Sequence, residues 1–232
     1  MKKFACAMLV AAIALSFSLP TFANDRGRDE WPSDYCEMTP AEIREAQALD
    51  QHIQEVLGQK PVPYVDFVSK NLTMNFYVQE DPSWCAYACT QMVVNKLTGE
   101  FIKQAGMYSS PGPSADAVAA KINSLSGKDA YTYTSLSVSG NLMSSFMYSI
   151  DKERPLVCQV DPYYLGFGNY QPGLGHYVVG YGYSGDTQWI EGTVKYYDPN
   201  QYDTGALGSH TVDVNTMKTA IRNRYGYYIR SK

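Results

Sequence analysis

Pro155 divides the chain into two kinds of sequence. Before it, apolar residues recur at three- and four-residue steps between caps and glycines; after it, short runs rich in valine and tyrosine alternate with turns. Helical periodicity first and strand periodicity later, in a chain of this length, predicts an α+β fold in which the two parts pack against each other.

On the helical side, Thr39-Pro40-Ala41-Glu42 forms a capping box with proline at the first helical position. From there Ile43, Ala46, Leu49, Ile53, Val56 and Leu57 make one stripe that Gly58 ends. This helix packs on the domain or serves as a removable segment; its single-helix length favours packing. Pro61 to Pro63 separates it from the rest of the chain. Residues 74–79 read as strand-like, and Asp81-Pro82-Ser83 caps a helix running to Gly99. A short helix comes after Pro113-Ser114 through Ala117, Ala120 and Ile122, and another covers Leu142 to Ile150. Beyond Pro155, strands are predicted at 156–160, 176–183, 194–197, 211–214 and 225–229. Nine of the 20 tyrosines lie between Tyr163 and Tyr202, as suits a half-buried sheet.

The amino terminus indicates a compartment. Lys2 and Lys3 precede an uncharged apolar stretch from Phe4 to Phe17, and Thr21-Phe22-Ala23 supplies small residues before Asn24. These are the parts of a bacterial secretory signal peptide cut after Ala23. The stretch is short for a membrane span, so no membrane anchor is expected and the product is secreted or periplasmic. Removing residues 1–23 leaves 209 of the 232 residues and takes away two lysines and no acids, moving the net charge from −4 to −6. A mildly acidic, unpatterned surface argues against nucleic acid as a partner. The expected division is 1–23 signal peptide, 24–63 extension with one amphipathic helix, and 64–232 a single domain.

Four cysteines remain: Cys36, Cys85, Cys89 and Cys158. In an oxidising compartment an even number usually pairs into disulfides. One of them, Cys85, falls in the first turn of its helix, where unpaired N–H groups and the helix dipole favour a thiolate. If Cys85 stays reduced, at most one bridge forms among Cys36, Cys89 and Cys158, and the spacing does not choose it. A reactive thiolate needs a proton partner, and there are three histidines. His52 sits beside the first helix stripe, and His210 comes after Gly208-Ser209. His176 enters a buried strand after Gly173-Leu174-Gly175, so a rigid element aims it. Asp198, ending the next strand, is placed to fix the imidazole tautomer and stabilise its cation.

Gln79 lies six residues before Cys85, and Trp84-Cys85-Ala86 opens a helix. With Gly175-His176-Tyr177-Val178-Val179-Gly180 and Tyr197-Asp198-Pro199, these stretches resemble the papain-like cysteine peptidases. The likeness is to the bacterial group that includes the double-glycine leader peptidases and secreted or effector peptidases. The resemblance implies a papain-like fold, a helical half carrying the nucleophile packed on an antiparallel sheet half. It implies Cys85 as nucleophile, His176 as general base and acid, Asp198 as orienter, and Gln79 as oxyanion-hole donor beside the Cys85 N–H. The implied partner is a peptide or protein substrate, with no cofactor and no metal. The sequence departs from plant papains in lacking the upstream cysteine and in offering aspartate where they have asparagine. The same residues also suit an acyltransferase or a cell-wall amidase, and a non-catalytic binding module of this fold remains a third expectation.

Two patterns carry no weight. Gly180-Tyr181-Gly182-Tyr183-Ser184-Gly185 matches a dinucleotide fingerprint by letter, yet a strand comes next where a helix is required. Asn71-Leu72-Thr73 is a glycosylation triplet behind a bacterial leader.

Overall fold

The structure is a computed structural model that describes residues 36–58, 68–108, 112–185 and 191–232. The expected signal peptide, the segment around Pro61 to Pro63 and residues 186–190 lie outside the described residues.

Helix α1 (Pro40–Gly58) starts at the capping box: Thr39 N donates to Glu42 Oε2 at 2.7 Å, and Glu42 N donates to Thr39 Oγ1 at 3.3 Å. After β1 (Val68–Asn71) come α2 (Cys85–Thr98), α3 (Ala115–Ser126), β2 (Tyr131–Ser135) and α4 (Leu142–Asp151). Past Pro155 lie β3 (Leu156–Val160), a 3-10 turn (Pro162–Leu165), β4 (His176–Gly185), β5 (Gly192–Asp198), β6 (Gly208–Asp213), α5 (Val214–Arg222) and β7 (Tyr227–Ser231). Among the described residues, five helices and an antiparallel sheet make the α+β fold that the sequence implied, with the helix that opens at Cys85 in the amino-terminal half.

Three expectations need correction. Residues 74–79 are not a paired strand; only Val68–Asn71 joins the sheet there. The helix at Cys85 begins later than its Asp81 signal, because Asp81 Oδ1 accepts from Ser83 N (2.9 Å) and Ser83 Oγ (2.6 Å) and closes a turn before the helix instead. Val214 belongs to α5, a helix the strand-like residues before it had hidden.

All strand pairings are antiparallel, in the order β2-β7-β3-β4-β5-β6, with β1 beside the distal half of β4. Alternate residues of the central strands face opposite layers. Val157, Val179 and Ile229 join the core under α2 and α3, while Cys158, Val178 and Tyr228 join the core under α4 and α5. The sheet is therefore buried on both faces. Its centre brings helices very close: a Cβ at Gly180 would lie 2.4 Å from the Phe146 ring of α4, which only glycine permits. In the false dinucleotide fingerprint a Cβ at Gly182 would likewise meet Asn71 and one at Gly185 would meet Met143, so close packing accounts for its glycines.

This topology sets up one end of the sheet. Strand β4 starts at His176 and β5, its antiparallel neighbour, ends at Asp198, with Val179 opposite Tyr197. Helix α2 packs on β4 and opens with Cys85.

Candidate active site

Cys85 is the first residue of α2, 8% exposed, and its cap residue Trp84 supplies no side-chain acceptor. The first-turn N–H groups therefore face the region around the sulfur without a capping side chain. Trp84 stacks on Tyr87 with ring centroids 5.0 Å apart and so is held beside the helix start.

His176 is buried, and its Nε2 lies 2.8 Å from Asp198 Oδ1. The Cys85 sulfur lies near enough to act on the ionisation of the ring. With Nε2 taken by Asp198, Nδ1 is the nitrogen left for that sulfur. Burial by itself disfavours the imidazolium, but the Asp198 carboxylate and the Cys85 sulfur outweigh it, and the pKa is raised from 6.5 to about 10. Burial likewise works against ionised Asp198, and the His176 charge, with hydrogen bonds from His176, the Asn200 N–H and Tyr170, still holds it below the ordinary carboxylate value. Gly175 lets this strand mouth be fixed from outside: a Cβ there would meet the Arg224 guanidinium at 2.4 Å.

Gln79 is also buried close to this region of the chain, but its amide is already engaged. Its Nε2 donates to Asp81 O (3.2 Å) and Pro82 O (3.0 Å), and its Oε1 has no partner. The Gln79 backbone is tied to the segment after Asp198: Gln79 N donates to Pro199 O at 2.9 Å, and Gln201 Nε2 donates to Gln79 O at 2.7 Å. Buried Gln104 completes the clamp, giving Nε2 to Val78 O and Gln91 Oε1 and taking Glu80 N on its own oxygen. The segment before α2, the middle of α2 and the segment after β5 are thereby one hydrogen-bonded unit.

The structure brings Cys85, His176 and Asp198 together and puts Gln79 on the loop before them. His52 is exposed on α1, and His210 gives Nε2 to Ala206 O while its ring lies 4.1 Å from Phe167. Two residues went unnoticed in the sequence. Tyr170 donates its hydroxyl to Asp198 Oδ2 at 3.0 Å, and Asn200 donates Nδ2 to that hydroxyl at 3.0 Å while its N–H reaches Asp198 Oδ1 at 2.9 Å. Asn200, directly after the Asp198-Pro199 pair, carried a faint turn signal; nothing in the spacing pointed to Tyr170.

The other cysteines form no bridge: Cys36, Cys85, Cys89 and Cys158 are all free. Burial pushes the Cys158 thiol up to about 12 and the Cys89 thiol well above the ordinary value, so neither is suited to nucleophilic attack. Among the described residues no three histidines, cysteines or carboxylates converge as metal ligands.

A cysteine at a helix start against an imidazole at a strand mouth, on this α+β scaffold, defines the papain-like cysteine peptidase class. Residues 71–230 match the Peptidase_C39 like family, and the chain belongs to it. No curated protein matches the chain.

Proposed function

We propose that the chain is an exported cysteine peptidase that hydrolyses peptide bonds through Cys85, His176 and Asp198. The observation that carries this reading is the buried His176 ring, hydrogen-bonded to the Asp198 carboxylate and close enough to Cys85, at the start of α2, for the sulfur to act on its ionisation. In that arrangement the Cys85 thiolate attacks the scissile carbonyl carbon and a C–S bond forms. The imidazolium gives its proton to the amine nitrogen as the C–N bond breaks, leaving a thioester. Water, giving its proton to His176, then attacks the thioester; the acid product leaves and the sulfur–imidazolium pair is restored.

Asp198 keeps the ring oriented and its cation stable throughout. The Cys85 N–H faces the developing oxyanion, and Gln79 joins it by exchanging a backbone acceptor such as Pro82 O for the oxyanion. The export part rests on the features of residues 1–23; among the described residues no helix is long and apolar enough to cross a membrane.

The test is iodoacetamide labelling of the folded protein across pH, with the modified cysteine mapped by mass spectrometry, beside digestion of a mixed peptide library. Fast labelling of Cys85 well below pH 8, its loss in His176→Ala, and library cleavage absent from Cys85→Ala are the expected results. An ordinary thiol profile at Cys85, or cleavage that survives Cys85→Ala, rules the reading out. Transfer of the acyl group to an added amine in preference to water would move the chain to the acyltransferases.

A further inference from the structure

Residues 166–175 connect the 3-10 turn to β4, and this loop is pinned along its length. Phe167 packs with His210 and Tyr196. Asn169 N donates to Asp203 Oδ2, and a Cβ at Gly168 would overlap the same Asp203 side chain. Further on, Gly173 N donates to buried Asp161 at 2.6 Å. A loop fixed at so many points presents one side chain to the candidate triad. The Tyr170 hydroxyl is 3.0 Å from Asp198 Oδ2 and 3.4 Å from His176 Nε2, and its ring centroid is 5.4 Å from that of His176.

Asp198 is 1% exposed, so each carboxylate oxygen depends on protein donors. Oδ1 takes His176 Nε2 and the Asn200 N–H, whereas Oδ2 takes Tyr170. Losing the hydroxyl leaves a buried charged oxygen without its donor, and the carboxylate then turns or gains a proton at the expense of the imidazolium.

We propose that Tyr170, steadied by Asn200, is a positioning residue: it fixes the second oxygen of Asp198 and through it the Nε2 side of His176. This rests on the peptidase reading above. The lowered pKa of Asp198, to which the Tyr170 hydrogen bond contributes, agrees with the geometry.

The experiment compares wild type, Tyr170→Phe and Asn200→Ala by iodoacetamide labelling of Cys85 across pH, with thermal melts to establish folding. The thiolate–imidazolium pair gives a plateau bounded by the two macroscopic ionisations of the pair. Tyr170→Phe should raise the lower bound and reduce the upper one, narrowing the plateau by about one pH unit, the size expected for one hydrogen bond to a charged group. Asn200→Ala should narrow it by less, and it carries the comparison alone if Tyr170→Phe does not fold. A plateau in both variants superimposable on that of wild type overturns the positioning role and leaves the peptidase reading intact. Absence of any plateau in wild type overturns both.

Discussion

His176 is the side chain on which the proposed chemistry turns, because it is buried and still favours its charged form. Its folded pKa of about 10 lies above the ordinary 6.5, so its ionisation stabilises the fold fully below about 6.5 and loses that effect as pH rises towards about 10. Asp198 works in the opposite sense: held below its ordinary 3.8, it contributes above that value and loses the contribution in acid as it takes up a proton. Melting temperature should therefore fall between about pH 7 and 10. Replacing Asp198 with Asn should shift that fall towards neutrality by about one pH unit or more, since the imidazolium loses a full counter-charge. Melts of the two proteins at matched ionic strength check this; parallel curves would mean that the carboxylate does not hold the proton. Gln79 allows a second measurement. As an oxyanion donor its change to Ala should lower kcat by roughly 10²-fold with little effect on KM. As a mere brace for Asp81 and Pro82 it should lower stability and leave kcat within about threefold. The placing of Cys85 at a helix start, His176 at a strand mouth and Asp198 at a strand end was legible because each of these leaves a mark in the sequence. Tyr170 was not, since a loop residue reaching a carboxylate 28 positions away leaves none.

Among the elements, α1 has the least obvious place, coming before the matched family region and yet sealed into the domain. Ala46, Ile53 and Leu57 are buried, as the stripe foretold. What the stripe did not reveal is the charge beneath it. Arg230 of β7 is 0% exposed and pairs with Asp50 of α1, with further bonds to Ala46 O (3.0 Å), Ser139 Oγ (2.8 Å) and Ser145 Oγ (3.1 Å). A buried guanidinium stripped of its carboxylate is costly, commonly about 3–5 kcal/mol for a fully buried pair. Asp50 is 29% exposed, and water there reduces the expected loss for Asp50→Ala to about 2–3 kcal/mol, read from the urea midpoint. A shift under about 0.5 kcal/mol would show that the clasp is dispensable. By the same logic a chain starting at residue 64 should not fold stably, which separates a permanent clasp from a removable pro-segment. Other elements were legible to different degrees. The capping box of α1 and the left-handed Gly99 that ends α2 obey local rules that survive folding. Helix α5 was missed although Val214, Met217, Ala220 and Ile221 carry its period, because the preceding Thr211-Val212 run extends a strand pattern into it.

On the scale of the whole molecule, periodicity predicted which residues are buried but not on which side of the sheet. Leu156, Val157 and Cys158 read as one apolar run, and only the folded sheet sends Val157 to one layer and its neighbours to the other. The same two-sided burial bears on the cysteines. Cys89 and Cys158 are both fully buried, one under the α2 layer and one beneath α4 and α5, with the sheet between the two cores. The fold thus puts Cys89 and Cys158 in different cores, and an oxidising surrounding does not by itself turn an even count into bridges. Stability is then expected to come from the two-sided core and to ignore reductant. A disulfide typically contributes about 2–4 kcal/mol, and at about 2–4 °C per kcal/mol for a domain of this size its reduction would lower the melting temperature by at least about 4 °C. Melting with and without dithiothreitol should instead agree within about 1 °C. Denaturation without reductant should release Cys36, Cys85, Cys89 and Cys158 to alkylation, four modified thiols after residue 35. A drop of several degrees together with only two labelled thiols would mean that a pair closes in the protein. If Cys85 were one of that pair, the nucleophile would be held as a disulfide and the proposed chemistry would stop until it was reduced.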